Sequence, residues 1–206
     1  MIPAPEPGAP ARAYHHGDLK RALLDAALDL LRAEGPEAMT LRAVARAAGV
    51  SQAAPYRHFA DRRALVAAVA EEGFERLGAA MMAAMAADPG RAGFRQVAVA
   101  YVRFAHEHPA EYRVMFGAEL ADQSDLPSLQ ARSRGVLGGV TQVIAGLQQA
   151  GVVGAGDPAM MATSVWAMLH GLVMLSLDGQ TAGVAPSLDA LVDEVTRVIM
   201  FGMAPR

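Results

Sequence analysis

The chemistry in this chain is concentrated in a short polar run. Gln52, Tyr56, Arg57 and His58 bring an amide, a phenol, a guanidinium and an imidazole within seven residues. All four can reach bases or phosphates. A glutamine amide pairs bidentately with the edge of an adenine, and small residues such as Ala53 and Ala54 can touch a thymine methyl. A bidentate pair contributes about 1–3 kcal/mol of discrimination between bases. Tyr56 and His58 are better suited to phosphates, as is Arg62. Thr40 and Arg42 are further phosphate candidates, and Ser51, Arg57 and Arg63 complete the candidate DNA-contact set.

These groups need a scaffold, and Thr40–Phe59 (TLRAVARAAGVSQAAPYRHF) supplies one. Thr40 is a good N-cap, because its hydroxyl can accept from a free backbone N–H. Leu41, Val44, Ala45 and Ala48 follow at helical spacing and form an apolar side. Gly49 is placed to end that helix in a left-handed conformation. Val50 reads as a buried plug. Ser51 then caps a second helix, Gln52 to roughly Phe59, with Leu41, Val50 and Phe59 as core. This is a helix-turn-helix pattern; taken alone, it also describes an ordinary helical hairpin.

The flanks favour the first reading. An amphipathic helix is predicted from near Gly17–Asp18, with Leu19, Leu23, Ala26, Ala27, Leu30 and Leu31 inward, ended by Glu34-Gly35-Pro36. After Phe59, Asp61 caps a long helix from Arg62 to about Ala87. Arg62 and Arg63 in its first turn oppose the helix dipole, a placement that makes sense if both guanidinium groups face a phosphate. Residues 40–63 hold five Arg and one Asp, a local balance of +4 in a chain whose formal net charge is −3. A basic end on an acidic body fits DNA contact confined to that end. Ahead of it, residues 1–13 read as a disordered arm. Its Arg12, with His15 and His16 behind, either reaches a minor groove or belongs to an untethered tail.

Beyond the long helix, further helices are predicted over 91–108, 110–120, 128–151, 157–178 and 188–202, giving about nine in all and no strand. The chain has 206 residues, 53% of them hydrophobic, enough for a sizeable core. Eight of its twelve methionines lie between Met81 and Met174. Methionine adapts to irregular shapes. Met81, Met85, Met115, Met168 and Met174, with Tyr101, Phe104, Phe116 and Trp166, are therefore candidates to line an apolar pocket, plain core packing being the alternative. His170 lies four residues after Trp166 on the same helix face, as a ligand donor or as a satisfied core histidine. The last two helices are the expected dimer surface, with Ala167 and Gly171 allowing close approach and Val195, Ile199 and Met203 as a second stripe.

Other classes of function lack their residues. No cysteine is present, which excludes disulfides and thiolate metal sites. His106 and His108, two apart, fall on different helix faces. No Ser/His/Asp spacing or glycine-rich phosphate loop appears, so no catalytic centre, metal or cofactor is expected. The Pro- and Ala-rich start does not resemble a secretory signal. Val165–Leu177, the most apolar stretch, reads as too short to span a bilayer. A cytoplasmic protein without a membrane partner is the expectation.

With these residues placed, the chain resembles the TetR (tetracycline repressor) family of bacterial transcription regulators. The likeness runs from His15 to about Phe74. It is carried by Glu34-Gly35, Thr40-Leu41-Arg42-Ala43-Val44-Ala45, Ala48-Gly49-Val50-Ser51, Tyr56-Arg57-His58-Phe59 and Asp61-Arg62-Arg63-Ala64-Leu65. It implies an all-α fold of nine or so helices, with a three-helix DNA-binding head at residues 14–62 and a ligand-binding and dimerisation domain at 63–206. It further implies a homodimeric repressor that binds a palindromic operator and is released by a small, mainly apolar effector. Effector-independent DNA organisation, or a helical enzyme, would be the alternatives. Ala54 and Pro55 depart from the family's usual Thr and Leu, and Arg62 from its usual Lys. Trp166, His170 and Gly171 resemble a subgroup with a Trp-His-Gly signature in the C-terminal domain.

If the polar run reads DNA, Gln52→Ala relaxes the sequence preference, whereas Tyr56→Phe weakens binding to all sequences alike. Binding measured on a panel of duplexes with each variant distinguishes the two effects.

Overall fold

The computed structural model describes residues 16–87 and 90–204. Arg12 and His15 and the rest of the expected arm lie outside this range. Eight α-helices and three single-turn 3-10 segments make up the described residues, with no strand among them.

The first two helices of the N-terminal unit are bounded where the sequence signals place them. Helix α1 (His16–Glu34) buries Leu23, Leu24, Ala27, Leu28 and Leu31. Gly35, at φ 85°, turns the chain out of it. Thr40 caps α2 (Leu41–Ala47), its Oγ1 accepting from the Ala43 N–H at 3.1 Å. Gly49 sits at φ 68°. The Val50 N–H then reaches back to the Ala45 carbonyl at 3.0 Å, closing the helix end that a left-handed residue permits. Val50 itself is half-buried rather than a sealed plug.

The second helix of the expected pair is much shorter than its capping signal suggests. Only Pro55–Arg57 is helical, as a 3-10 turn, and Ala54 precedes it with no side-chain cap. Pro55 is the reason. A regular helix starting at Gln52 would have residue 55 donate to the Ser51 carbonyl, and proline has no N–H to give. The Ala54 N–H takes that carbonyl instead, at 2.9 Å. The helix count is therefore eight rather than nine, and the missing proton at Pro55 has a larger effect than its position near the start suggests.

Asp61 caps the central helix α3 (Arg62–Ala87), its Oδ1 accepting from the Ala64 N–H at 2.8 Å. This helix of 26 residues packs against α1 at one end. Further along it packs against α4 (Arg91–Glu107), α5 (Pro109–Met115) and α6 (Pro127–Gln149). Gly73 makes the α5 contact possible: a Cβ there would lie 2.5 Å from the Met115 sulfur. The helix expected over 110–120 is broken at Phe116-Gly117 into α5 and a 3-10 turn, Ala118–Leu120. Helix α7 (Pro158–Leu177), capped by Asp157, and α8 (Leu188–Gly202), capped by Ser187, close the body.

Helix α7 is longer as an apolar element than Val165–Leu177. Within its 20 residues an 18-residue window reaches a mean hydropathy of 1.6 with only 28% of that window buried, and by length and composition the helix could cross a membrane. Its buried side, with Ala162, Val165, Leu169, Leu172 and Val173, packs on α4 and α6.

Replacing Gly49 by Val places a β-branched residue at positive φ. The expected cost is about 1–2 kcal/mol of stability, read as a lower urea midpoint with an unchanged m-value.

Candidate DNA-contact surface and ligand cavity

The Gly49 turn and the Pro55 3-10 turn together push a polar ridge outward. Ser51, Gln52, Ala53, Tyr56 and Arg57 are exposed on it, with Arg42 exposed on the neighbouring helix start and Thr40 beside it. Tyr56 is 55% exposed, unusual for a tyrosine with no partner to cover it. Pro55 and Phe59 anchor the ridge from below. Ala54 is half-buried. His58 departs from the ridge: its Nε2 is buried and has no hydrogen-bond partner. It faces a cleft shared with Lys20, Arg21, Glu71 and Glu72, so its ring points into the molecule rather than toward a phosphate.

Arg62 and Arg63 are also placed differently from expectation. Both guanidinium groups turn toward the body. Arg62 pairs with Glu119 and donates to the Pro36 carbonyl at 2.7 Å. Arg63 pairs with Asp125 and donates to the Asp122 backbone carbonyl. The hydrogen bond between them holds the Asp125 carboxyl below its ordinary range and raises the Arg63 guanidinium further. The residues that would cancel the unfavourable dipole placement of these arginines are carboxylates of the same chain.

The body holds a partly open cavity of about 320 Å³, at the lower end of the range for small-molecule sites. Met81, Tyr101, Met115, Phe116 and Trp166 line it, as the methionine and aromatic pattern suggested. Phe104 lies one turn past Tyr101 on α4 and stacks on His108 instead. Met85 and Met174, one turn beyond Met81 and His170, are also outside the wall, and Met168 is exposed on the outer side of α7. Phe74 and Phe94 and the α6 face of Ser133, Val136, Leu137 and Val140 belong to it. The four α6 residues stand at i, i+3, i+4 and i+7, so one face of that helix forms the wall.

His170 resolves to the satisfied alternative. Its Nδ1 and the Tyr112 hydroxyl are 2.6 Å apart, and that hydroxyl is 2.6 Å from the Tyr101 hydroxyl. The Trp166 indole N–H donates to Tyr101 at 3.1 Å. Burial pushes the Tyr101 phenol up to about 12 and raises Tyr112 further, while it lowers His170. The cluster is thus a neutral hydrogen-bonded chain at one side of the cavity, and Tyr101 and Trp166 are its members on the wall. His106, bonded to Ser176 at 2.8 Å, is likewise lowered by burial.

The other polar device lies between the N-terminal unit and the body. Glu111 on α5 is 1% exposed, and Arg32 of α1 (2.6 Å) and Arg76 of α3 both donate to it. No cluster of His, Cys, Asp or Glu able to hold a metal occurs among the described residues.

Comparison with known proteins gives this arrangement a class. Residues 23–69 match the model described as bacterial regulatory proteins of the tetR family. Residues 94–199 match a tetracyclin repressor-like C-terminal domain. A protein of unknown function from Rhodococcus sp. RHA1 is 36% identical, with a TM-score of 0.84 over 94% of this chain and 100% of that one. A TetR family transcription regulator from Marinobacter aquaeolei VT8 has a TM-score of 0.70 at 21% identity, covering 92% and 98% of the two chains. The TetR family regulator PfmR from Thermus thermophilus has 0.66 at 19%, covering 87% and 97%. No protein of curated function matches the sequence. The fold and site therefore define a helix-turn-helix DNA-binding regulator, not an enzyme. The chain belongs to the TetR family.

His170 and His106 bind a proton less readily when folded, so the unfolded state takes up protons first as the pH falls through its ordinary value near 6.5. Their contribution to stability is present above that pH and is lost below it. Between pH 7.5 and 5.5 the urea midpoint should fall, and His170→Asn should reduce that fall while lowering the midpoint at pH 7.5. Asp122, Asp125 and Glu194, all held below their ordinary range, stay ionised across this window.

Proposed function

We propose that this protein is a repressor that binds a palindromic operator as a homodimer and leaves it when a small, mainly apolar molecule enters the body. The observation that carries this reading is one unbroken helix, α3, that starts beside the exposed ridge and supplies Phe74 and Met81 to the cavity wall. Residues 14–62 act as the reading head and 63–206 as the sensing and pairing body. Gln52, Ala53 and Ala54 meet base edges, while Thr40, Arg42, Ser51, Tyr56 and Arg57 meet the backbone. The Trp166–Tyr101–Tyr112–His170 chain supports the Trp-His-Gly subgroup and gives the effector a polar neighbour in a mainly apolar site.

The pairing surface is the outer side of α7 and α8. Met160, Met168, Leu175, Val198 and Phe201 are all exposed there, Phe201 at 81%. Isolated apolar side chains are ordinary on a surface, but five large ones on two helices ask for cover. The stripe expected on α8 is displaced by one helix face. Ile199 is buried and Val195 and Met203 pack on the chain's own core, while Val198 is exposed. A two-fold pair of heads would read half-sites about one helical turn apart.

Binding-site selection with the purified protein tests the reading; a palindromic site supports it, and uniform or absent binding sinks it. Trp166, the only tryptophan, reports cavity occupancy by its fluorescence, and compounds that quench it should release the selected DNA. Phe201→Asp should move the protein from dimer to monomer in sedimentation and weaken operator binding at least ~10-fold, since a monomer holds one half-site.

A further inference from the structure

The segment joining α4 to α6 has two sides of opposite character. Met115, Phe116, Gly117, Leu120 and Ala121 face the cavity. The other side carries Glu111, Glu119, Asp122 and Asp125. Every guanidinium group that reaches this segment from α1 or from the first turn of α3 ends on it. Arg32 ends on Glu111, Arg62 on Glu119, and Arg63 on Asp125 and the Asp122 carbonyl. The Asp122 carboxylate is occupied elsewhere: it accepts from the Ser124 N–H at 2.9 Å and shapes the loop that presents Asp125.

Carboxylate and phosphate are the two anions that match a guanidinium fork. The first turn of α3 adds the positive end of a helix dipole to two cations, a combination that demands an anion. In the chain by itself the acidic segment supplies it. A DNA backbone approaching the same helix end would offer the other anion, and neither arginine can satisfy both with full hydrogen bonding. We infer that Glu119 and Asp125 are intramolecular stand-ins for DNA phosphate, which hold Arg62 and Arg63 back from DNA and lower the affinity of the unoccupied protein. The inference rests on the DNA-binding reading above. The competitor is built on the cavity wall: Glu119 sits between the wall residues Gly117 and Leu120, so this contact lies where the state of the cavity can bear on it.

Because phosphate contacts are independent of sequence, the test needs no operator. It uses the full chain and a fluorescent mixed-sequence duplex about three helical turns long, with anisotropy read across a salt series. The double variant Glu119→Gln, Asp125→Asn keeps the shape of both side chains and removes their charge. It should bind roughly 3–10-fold tighter at low salt. The slope of log K against log salt should steepen by about one to two, one for each arginine released to a phosphate. In an Arg62→Ala, Arg63→Ala background the same two substitutions should change neither quantity.

Unchanged affinity and slope in the double variant would overturn the inference, given an intact thermal melt. So would equal tightening in the arginine-free background, which would mark a general charge effect. Failure of every variant, wild type included, to bind the duplex at any salt would overturn the DNA-binding reading and this inference with it.

Discussion

The buried carboxylate of Glu111 is the constraint on which the arrangement of the two parts depends. A carboxylate at 1% exposure is costly unless its charge is paired and hydrogen-bonded. Here it has two partners, and they come from different places: Arg32 from the end of α1 and Arg76 from the middle of α3. Satisfying one charge therefore pins three helices at a single point. Removing either arginine would leave part of that charge unanswered, so the three helices are held as a set. Helix α5, only seven residues long, could not keep such a position by its own propensity.

Around that point the interior separates into two kinds of contact. The cavity side is apolar and adaptable, with methionine and aromatic side chains that can rearrange at modest cost. The side toward the N-terminal unit is made of directional ion pairs. The Tyr101–Tyr112–His170 chain belongs to neither: it is a run of hydrogen bonds between neutral groups, and it ties α4, α5 and α7 together next to the cavity.

Much of this was legible in the sequence, for reasons that are local. Thr40, Gly49, Asp61 and Asp157 act on their own neighbours within a few residues, so their capping roles and the helices they bound could be read directly. Pro55 was also local, but its effect depends on which carbonyl it fails to reach, and that required the start of the helix to be known. Arg62 and Arg63 were legible as cations in an unfavourable place. Their partners were not, because Glu119 and Asp125 stand 57 and 62 residues away. The cavity was legible as a composition, and its wall was not. Membership turns on which helix turn stops at Tyr101, so that Phe104, one turn further, falls outside.

The length of α3 has a mechanical consequence. At 1.5 Å per residue, its 26 residues make a rod of about 39 Å. A rod of that length tilted by about 5° about its distal end displaces the other end by roughly 3.4 Å. That is the spacing of successive phosphates along one strand of duplex DNA, measured along its axis. An angular change small enough to be absorbed by side-chain repacking at Met81 would thus carry the start of the helix, and the ridge packed beside it, by a full phosphate step.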